Sequence, residues 1–133
     1  MTAGYSGTPL AKKLGFKPGQ RTWLCDMPDS VYAEISDVGA ALLDQPEPPV
    51  EAAHLFVTHC ATLDCKLRML LPLIARDGMI WISWPKQASK VPSDITEDVI
   101  RAVALPLGLV DVKVCAVDET WSGLKLVIRK DLR

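Results

Sequence analysis

The sequence predicts a single α/β domain: a mostly parallel, doubly wound sheet that ends in an antiparallel hairpin. Three observations carry this. Short apolar runs at 21–25, 54–58 and 79–84 alternate with stretches of helical period, the pattern of strand–helix–strand crossovers. The last two apolar runs are joined by about six residues, too few for a crossover, so they must run antiparallel. The length, 133 residues, suits one domain that buries roughly two-thirds of its unfolded surface.

Each element has its own signal. Thr8, Pro9 and Gly15 read as N-cap, first helical residue and left-handed stop of a short helix over 8–15. Arg21 to Cys25 is a strand buried on both faces. Ser30 caps a short helix to about Ser36, and Ala40 to Leu43 is a further strand. Gln45-Pro46-Glu47-Pro48-Pro49 is a loop, because proline blocks both helix and sheet bonding. His54 to Thr58 is a strand. Leu63, Leu67, Leu70, Leu71 and Ile74 form one helical stripe, kinked at Pro72 and ended by Asp77-Gly78. Met79 to Trp84 is a strand. Asp94 with Glu97 has capping-box spacing ahead of the stripe Ile95, Val99, Val103, which Pro106 and Gly108 stop. Val110 to Val117 and Leu124 to Arg129 are the hairpin strands.

Composition excludes several functions. Fifteen basic and sixteen acidic residues leave a net charge of −1, so no basic field draws in nucleic acid. No apolar run approaches the roughly 20 residues that cross a bilayer, and the N-terminal seven residues lack a signal-peptide core. The chain reads as cytoplasmic. Cys25, Cys60, Cys65 and Cys115 form no CxxC pair and are expected to be reduced and mostly buried.

Leu14-Gly15-Phe16-Lys17-Pro18-Gly19-Gln20-Arg21 is similar to the lead-in to the first strand of class I S-adenosylmethionine methyltransferases. Asp77-Gly78 before an apolar strand resembles their fifth strand, and the closing helix, strand and antiparallel strand resemble their C-terminal hairpin. Two departures stand out. The family's glycine-rich loop is replaced by Cys25-Asp26-Met27-Pro28-Asp29, without glycine, and Leu24 stands where an acid is expected. Only 28 residues separate Cys25 from His54, room for one short helix and one short strand where the full fold has two strands and about three helices. The family's ribose-binding acid has no firm counterpart; Asp44 is a candidate.

A closer likeness is to an uncharacterised bacterial family. Gly4-Tyr5-Ser6-Gly7-Thr8-Pro9-Leu10-Ala11-Lys12-Lys13-Leu14-Gly15, Ser83-Trp84-Pro85-Lys86 and the segment Val112 to Lys125 resemble it. This likeness implies a truncated, methyltransferase-like Rossmann fold, a three-layer sandwich, and implies no activity.

Open α/β sheets bind ligands outside the carboxyl ends of their strands. Trp84 and Lys86 follow the third clear strand, with Lys90 on the next loop. Asp118, Glu119, Trp121 and Ser122 follow the last parallel strand. Ser6 and Thr8 precede the first helix, whose N-terminus points to the same edge. Together they offer indoles, carboxylates, ammonium groups and a helix N-terminus to a small anionic or zwitterionic ligand. The structural alternative packs both indoles on the sheet edge and pairs Lys86 with Glu119.

His54, His59, Cys60 and Cys65 match no zinc spacing. Cys25 has no histidine nearby to activate it, and Lys12-Lys13 reads as a solvated face. No catalytic residue, metal or cofactor is expected. The sequence therefore reads as a non-catalytic domain that binds a protein or small molecule, with homodimerisation compatible with its mean hydropathy of +0.17. The rival is a minimal transferase using an adenosyl or nucleotide cofactor, with Lys86, Asp118 and Glu119 as its polar groups. A cavity beside Trp84 and Trp121 separates the two readings.

Overall fold

The computed structural model describes residues 9–133. Six strands form one sheet: β1 (Arg21–Cys25), β2 (Ala41–Leu43), β3 (Val50–Phe56), β4 (Ile74–Pro85), β5 (Leu109–Ala116) and β6 (Trp121–Ile128), in the order β2-β1-β3-β4-β6-β5. β1 pairs in parallel with both β2 and β3, and β3 with β4. β6 is antiparallel to β4 and β5, as the short last connection required. This is a Rossmann-like sheet, mostly parallel with antiparallel C-terminal strands.

Helices α1 (Leu10–Leu14) and α2 (Asp29–Ile35) cover one face; α3 (Cys60–Leu70) and α4 (Glu97–Ala104) cover the other. Handedness explains the split. From β1 the chain steps leftward to β2, and from β3 it steps rightward to β4, so right-handed crossovers fall on opposite faces. Strand side chains follow by parity. Ala52, Phe56, Met79 and Trp81 meet α1 and α2, while Trp23, Cys25, Ala53, Leu55, Ile80 and Ile82 meet α3 and α4. The Trp81 indole Nε1 donates to the Leu14 carbonyl at 2.7 Å and fixes α1 to the sheet.

Six residues, 44–49, link β2 to β3 and cross β1 to do so. Arg21 holds this strap, its Nε donating to the Pro49 carbonyl at 2.8 Å and its Nη2 to the Glu47 carbonyl at 3.0 Å. At the other edge, Arg101 on α4 pairs with Asp111 on β5 at 3.0 Å and with Glu97 at 2.9 Å.

Several element ends differ from expectation. α1 starts at Leu10 with Pro9 as its N-cap, and Thr8 lies outside the described residues. α2 starts at Asp29 after Pro28, one residue ahead of Ser30. α3 stops at Leu70, because Pro72 ends the helix rather than kinking it, and Ile74 opens β4 opposite Val50. Asp77-Gly78 therefore lies within β4, beside an irregularity in register. Thr96, not Asp94, caps α4, its Oγ1 accepting from the Val99 amide at 3.2 Å.

Candidate functional site

The carboxyl edge of the sheet does not gather the two indoles. β4 and β6 pair Trp84 with Ser122 and Pro85 with Trp121, so Trp84 and Trp121 differ in parity and face opposite sides. Trp84 is buried in the α3–α4 core; Trp121 packs edge-on to Phe56, ring centres 5.0 Å apart, on the α1–α2 side. They cannot wall one crevice.

Lys86 Nζ donates to the Asp118 carbonyl at 2.7 Å, and the Lys86 amide donates to the Thr120 carbonyl at 2.7 Å. The Asp118 carboxylate accepts from the Thr120 and Trp121 amides at 2.8 and 2.7 Å, closing the β5–β6 turn. The expected Lys86–Glu119 pair is thus replaced by a main-chain contact, since the turn aims the Asp118 carbonyl at the ammonium. Glu119 and Lys90 are exposed, Lys90 with a left-handed backbone (φ +60°). Ser122 is half-buried. Ser6 and Thr8 lie outside the described residues.

The topological switch point lies between the carboxyl ends of β1 and β3. Asp26 leaves β1 with φ +58°, a left-handed conformation that glycine adopts most readily. Aspartate tolerates this better than most residues, and its type was the one sequence hint. The Cys25 thiol is buried and lies 3.8 Å from Asp26 Oδ2. Burial pushes that thiol's pKa up, against the opposing effect of Lys66 beside it. Cys25 is therefore a poor nucleophile. Lys66 Nζ in turn sits 5.8 Å from the centre of the Trp23 ring.

Asp94 was missed as a site residue. Its Oδ1 accepts from the Cys60 amide at 2.7 Å and its own amide donates to the Thr58 carbonyl at 3.2 Å. The chain's own carboxylate thus occupies the first N–H of α3. Asp44 follows β2 at the same edge and is exposed. Of the histidines, His54 is wholly buried on the α1–α2 side, its Nε2 2.6 Å from Ser83 Oγ, while Cys65 is exposed on α3 across the sheet. Only Cys25 of the four free thiols is buried; Cys60 and Cys115 are half-buried, because α3 and the edge strand β5 each turn one side to solvent.

No protein-family model matches this chain, and no curated protein does. Solved structures share its fold. TrmN from Thermus thermophilus is 12% identical with a TM-score of 0.55, over 90% of this chain and 47% of that one. Fibrillarin from Aeropyrum pernix, with natively bound S-adenosyl-L-methionine, is 11% identical with a TM-score of 0.55, over 94% and 71%. Magnesium protoporphyrin IX methyltransferase (ChlM) from Synechocystis PCC 6803, with bound SAM, is 9% identical with a TM-score of 0.58, over 90% and 74%. The chain spans about half the length, 47%, of TrmN and of LepI, another match. No helix among the described residues is long and apolar enough to cross a membrane.

Proposed function

We propose that this chain is a binding domain on a methyltransferase-like sheet, without S-adenosylmethionine chemistry of its own. The observation that carries the reading is the turn by which the chain leaves β1 at the switch point. A glycine-rich loop works because bare backbone approaches the cofactor closely. Here Asp26 makes the left-handed turn with a side chain attached, and Pro28 contributes no N–H ahead of α2. Asp94 takes the first N–H of α3. The residues present do not fit the cofactor's cradle, and no reaction step is assigned to it. A partner protein would instead meet the exposed charges of this edge, Asp26, Lys90 and Glu119, with Trp84, Lys86, Asp118 and Trp121 as the rigid frame behind them.

One observation favours the rival, a minimal transferase with an adenosyl or nucleotide cofactor: Asp44 directly follows β2, the strand beside β1, where a ribose-binding acid is expected. Thermal unfolding separates the two. A ligand at about 100 times its dissociation constant adds about 2.7 kcal/mol, a rise of roughly 8–15 °C for a domain this size. No shift with S-adenosylmethionine, S-adenosylhomocysteine or nucleotides is the expected result. A shift of that size, lost in Asp44→Ala, would put the transferase first.

A further inference from the structure

On the α1–α2 face lies an open groove of about 550 Å³. Ala11, Phe16 and Val38 line its apolar floor. Lys12 and Lys17 stand along the α1 side, and Glu34 and Asp37 along the α2 side. None of these four charges belongs to an ion pair among the described residues. Elsewhere the molecule does pair charges of opposite sign that lie close together, as at Arg101 with Glu97, Asp98 and Asp111. Phe16 and Val38 also line a much smaller, more enclosed hollow together with Tyr32 and Leu42, which are 42% and 46% exposed. The groove is thus continuous with the chain's exposed apolar side chains on this face.

The pattern is self-complementary. A two-fold axis lying along the groove turns one copy so that its basic wall meets the acidic wall of the other, and the reverse. Each contact then occurs twice, as a closed dimer requires. We propose that a second copy of this chain docks here, Lys12 and Lys17 of each protomer facing Glu34 and Asp37 of its partner, with Tyr32 and Leu42 at the margin. A small zwitterion is the weaker occupant, because the groove is open and its charges stand on the rims rather than inside a closed cavity. This inference goes beyond the binding-domain reading and stands or falls separately from it, since Asp26, Lys90 and Glu119 do not line the groove.

Light scattering and sedimentation test it on the full chain. At about 0.1 mM protein and low salt, the mass should approach twice 14.6 kDa and fall towards 14.6 kDa as salt screens the rim charges. Lys12→Glu with Lys17→Glu makes both walls acidic and should weaken association at least about tenfold. Glu34→Lys with Asp37→Lys should do the same. An equimolar mixture of the two double variants should form a heterodimer, and all four changes in one chain should restore the homodimer. The wild-type thermal midpoint should be matched by each variant under dissociating salt, which separates lost docking from lost folding. A wild-type chain monomeric throughout, or charge reversals that leave the dimer intact, would overturn the proposal.

Discussion

Acidification should destabilise this fold through one side chain. His54 is fully buried among Phe16, Phe56 and Trp81, stacked on Phe56 with ring centres 4.5 Å apart. Its Nε2 meets Ser83 Oγ, but its Nδ1 has no partner. A second proton on the ring would place a charge in an apolar core with no acceptor facing it. Burial accordingly drives the His54 pKa down from 6.5 to about 3. The unfolded chain therefore binds one more proton than the folded chain between those values, so stability rises with pH across that window and is lost as pH falls through it. At about 1.4 kcal/mol per pKa unit, the full effect is about 5 kcal/mol, of which about 2 kcal/mol is lost between about pH 7.5 and about pH 5. Urea unfolding at both pH values measures this in the wild type and in His54→Gln, which keeps a polar neighbour for Ser83 and cannot take up a proton. The variant will be less stable at neutral pH, but its loss on acidification should be smaller by about 2 kcal/mol. Equal losses in both proteins would refute the assignment of the acid sensitivity to His54.

Two further changes probe the packing around Trp81. A Cβ at Gly123 would stand 3.2 Å from Trp81 Cε3 and 3.2 Å from Val117 Cγ2; Gly123→Ala should lower the thermal midpoint, with a cost of about 1–3 kcal/mol for overpacking. Trp81→Phe removes the indole N–H from the Leu14 carbonyl and should cost about 2–4 kcal/mol from the lost bond and the void, with amide exchange in α1 accelerated more than in α3.

Much of the fold was legible because its signals are local. β1 carries its own boundaries, a Pro-Gly turn before Arg21 and Pro28 soon after Cys25. The antiparallel hairpin followed from the shortness of the link between its strands. The stripe through Ile74 misled because Leu70, Leu71 and Ile74 keep a helical period across Pro72, while pairing of Ile74 with Val50 draws that segment into the sheet. Tertiary pairing overrode period there. The site was less legible for a sharper reason. Trp84 and Trp121 sit near one edge in sequence terms, but which face each takes depends on antiparallel register, and a shift of one residue reverses it. Asp94 carries the residue type of a cap and performs that task on α3 rather than on α4, 34 residues from its partner Cys60. The opposed charges of Lys12 and Glu34 become a groove only once α1 and α2 lie side by side.

The two sheet edges bear on where a second copy can dock. β2 is three residues long, too short to offer a useful ladder. β5 is longer and carries Val112 and Val114 at 55% and 53% exposure, the kind of strand that invites edge-to-edge pairing. But its register shifts between Asp111 and Lys113, a bulge that breaks the run of free N–H and C=O groups. Lys113 lies between the two valines, and its Nζ donates to the Lys13 carbonyl at 3.0 Å, drawing the charge to the α1 side of the strand. Both edges are thus blunted by devices that act against pairing, one by length and one by shape. The α1–α2 face has neither device. Among the described residues Lys12, Lys17, Glu34 and Asp37 are of both signs and belong to no ion pair. Association through the sheet would leave those charges without partners, whereas association through the helices satisfies them twice over. A helical face is therefore the surface on which this small sheet can join a second copy without exposing a template for open-ended growth.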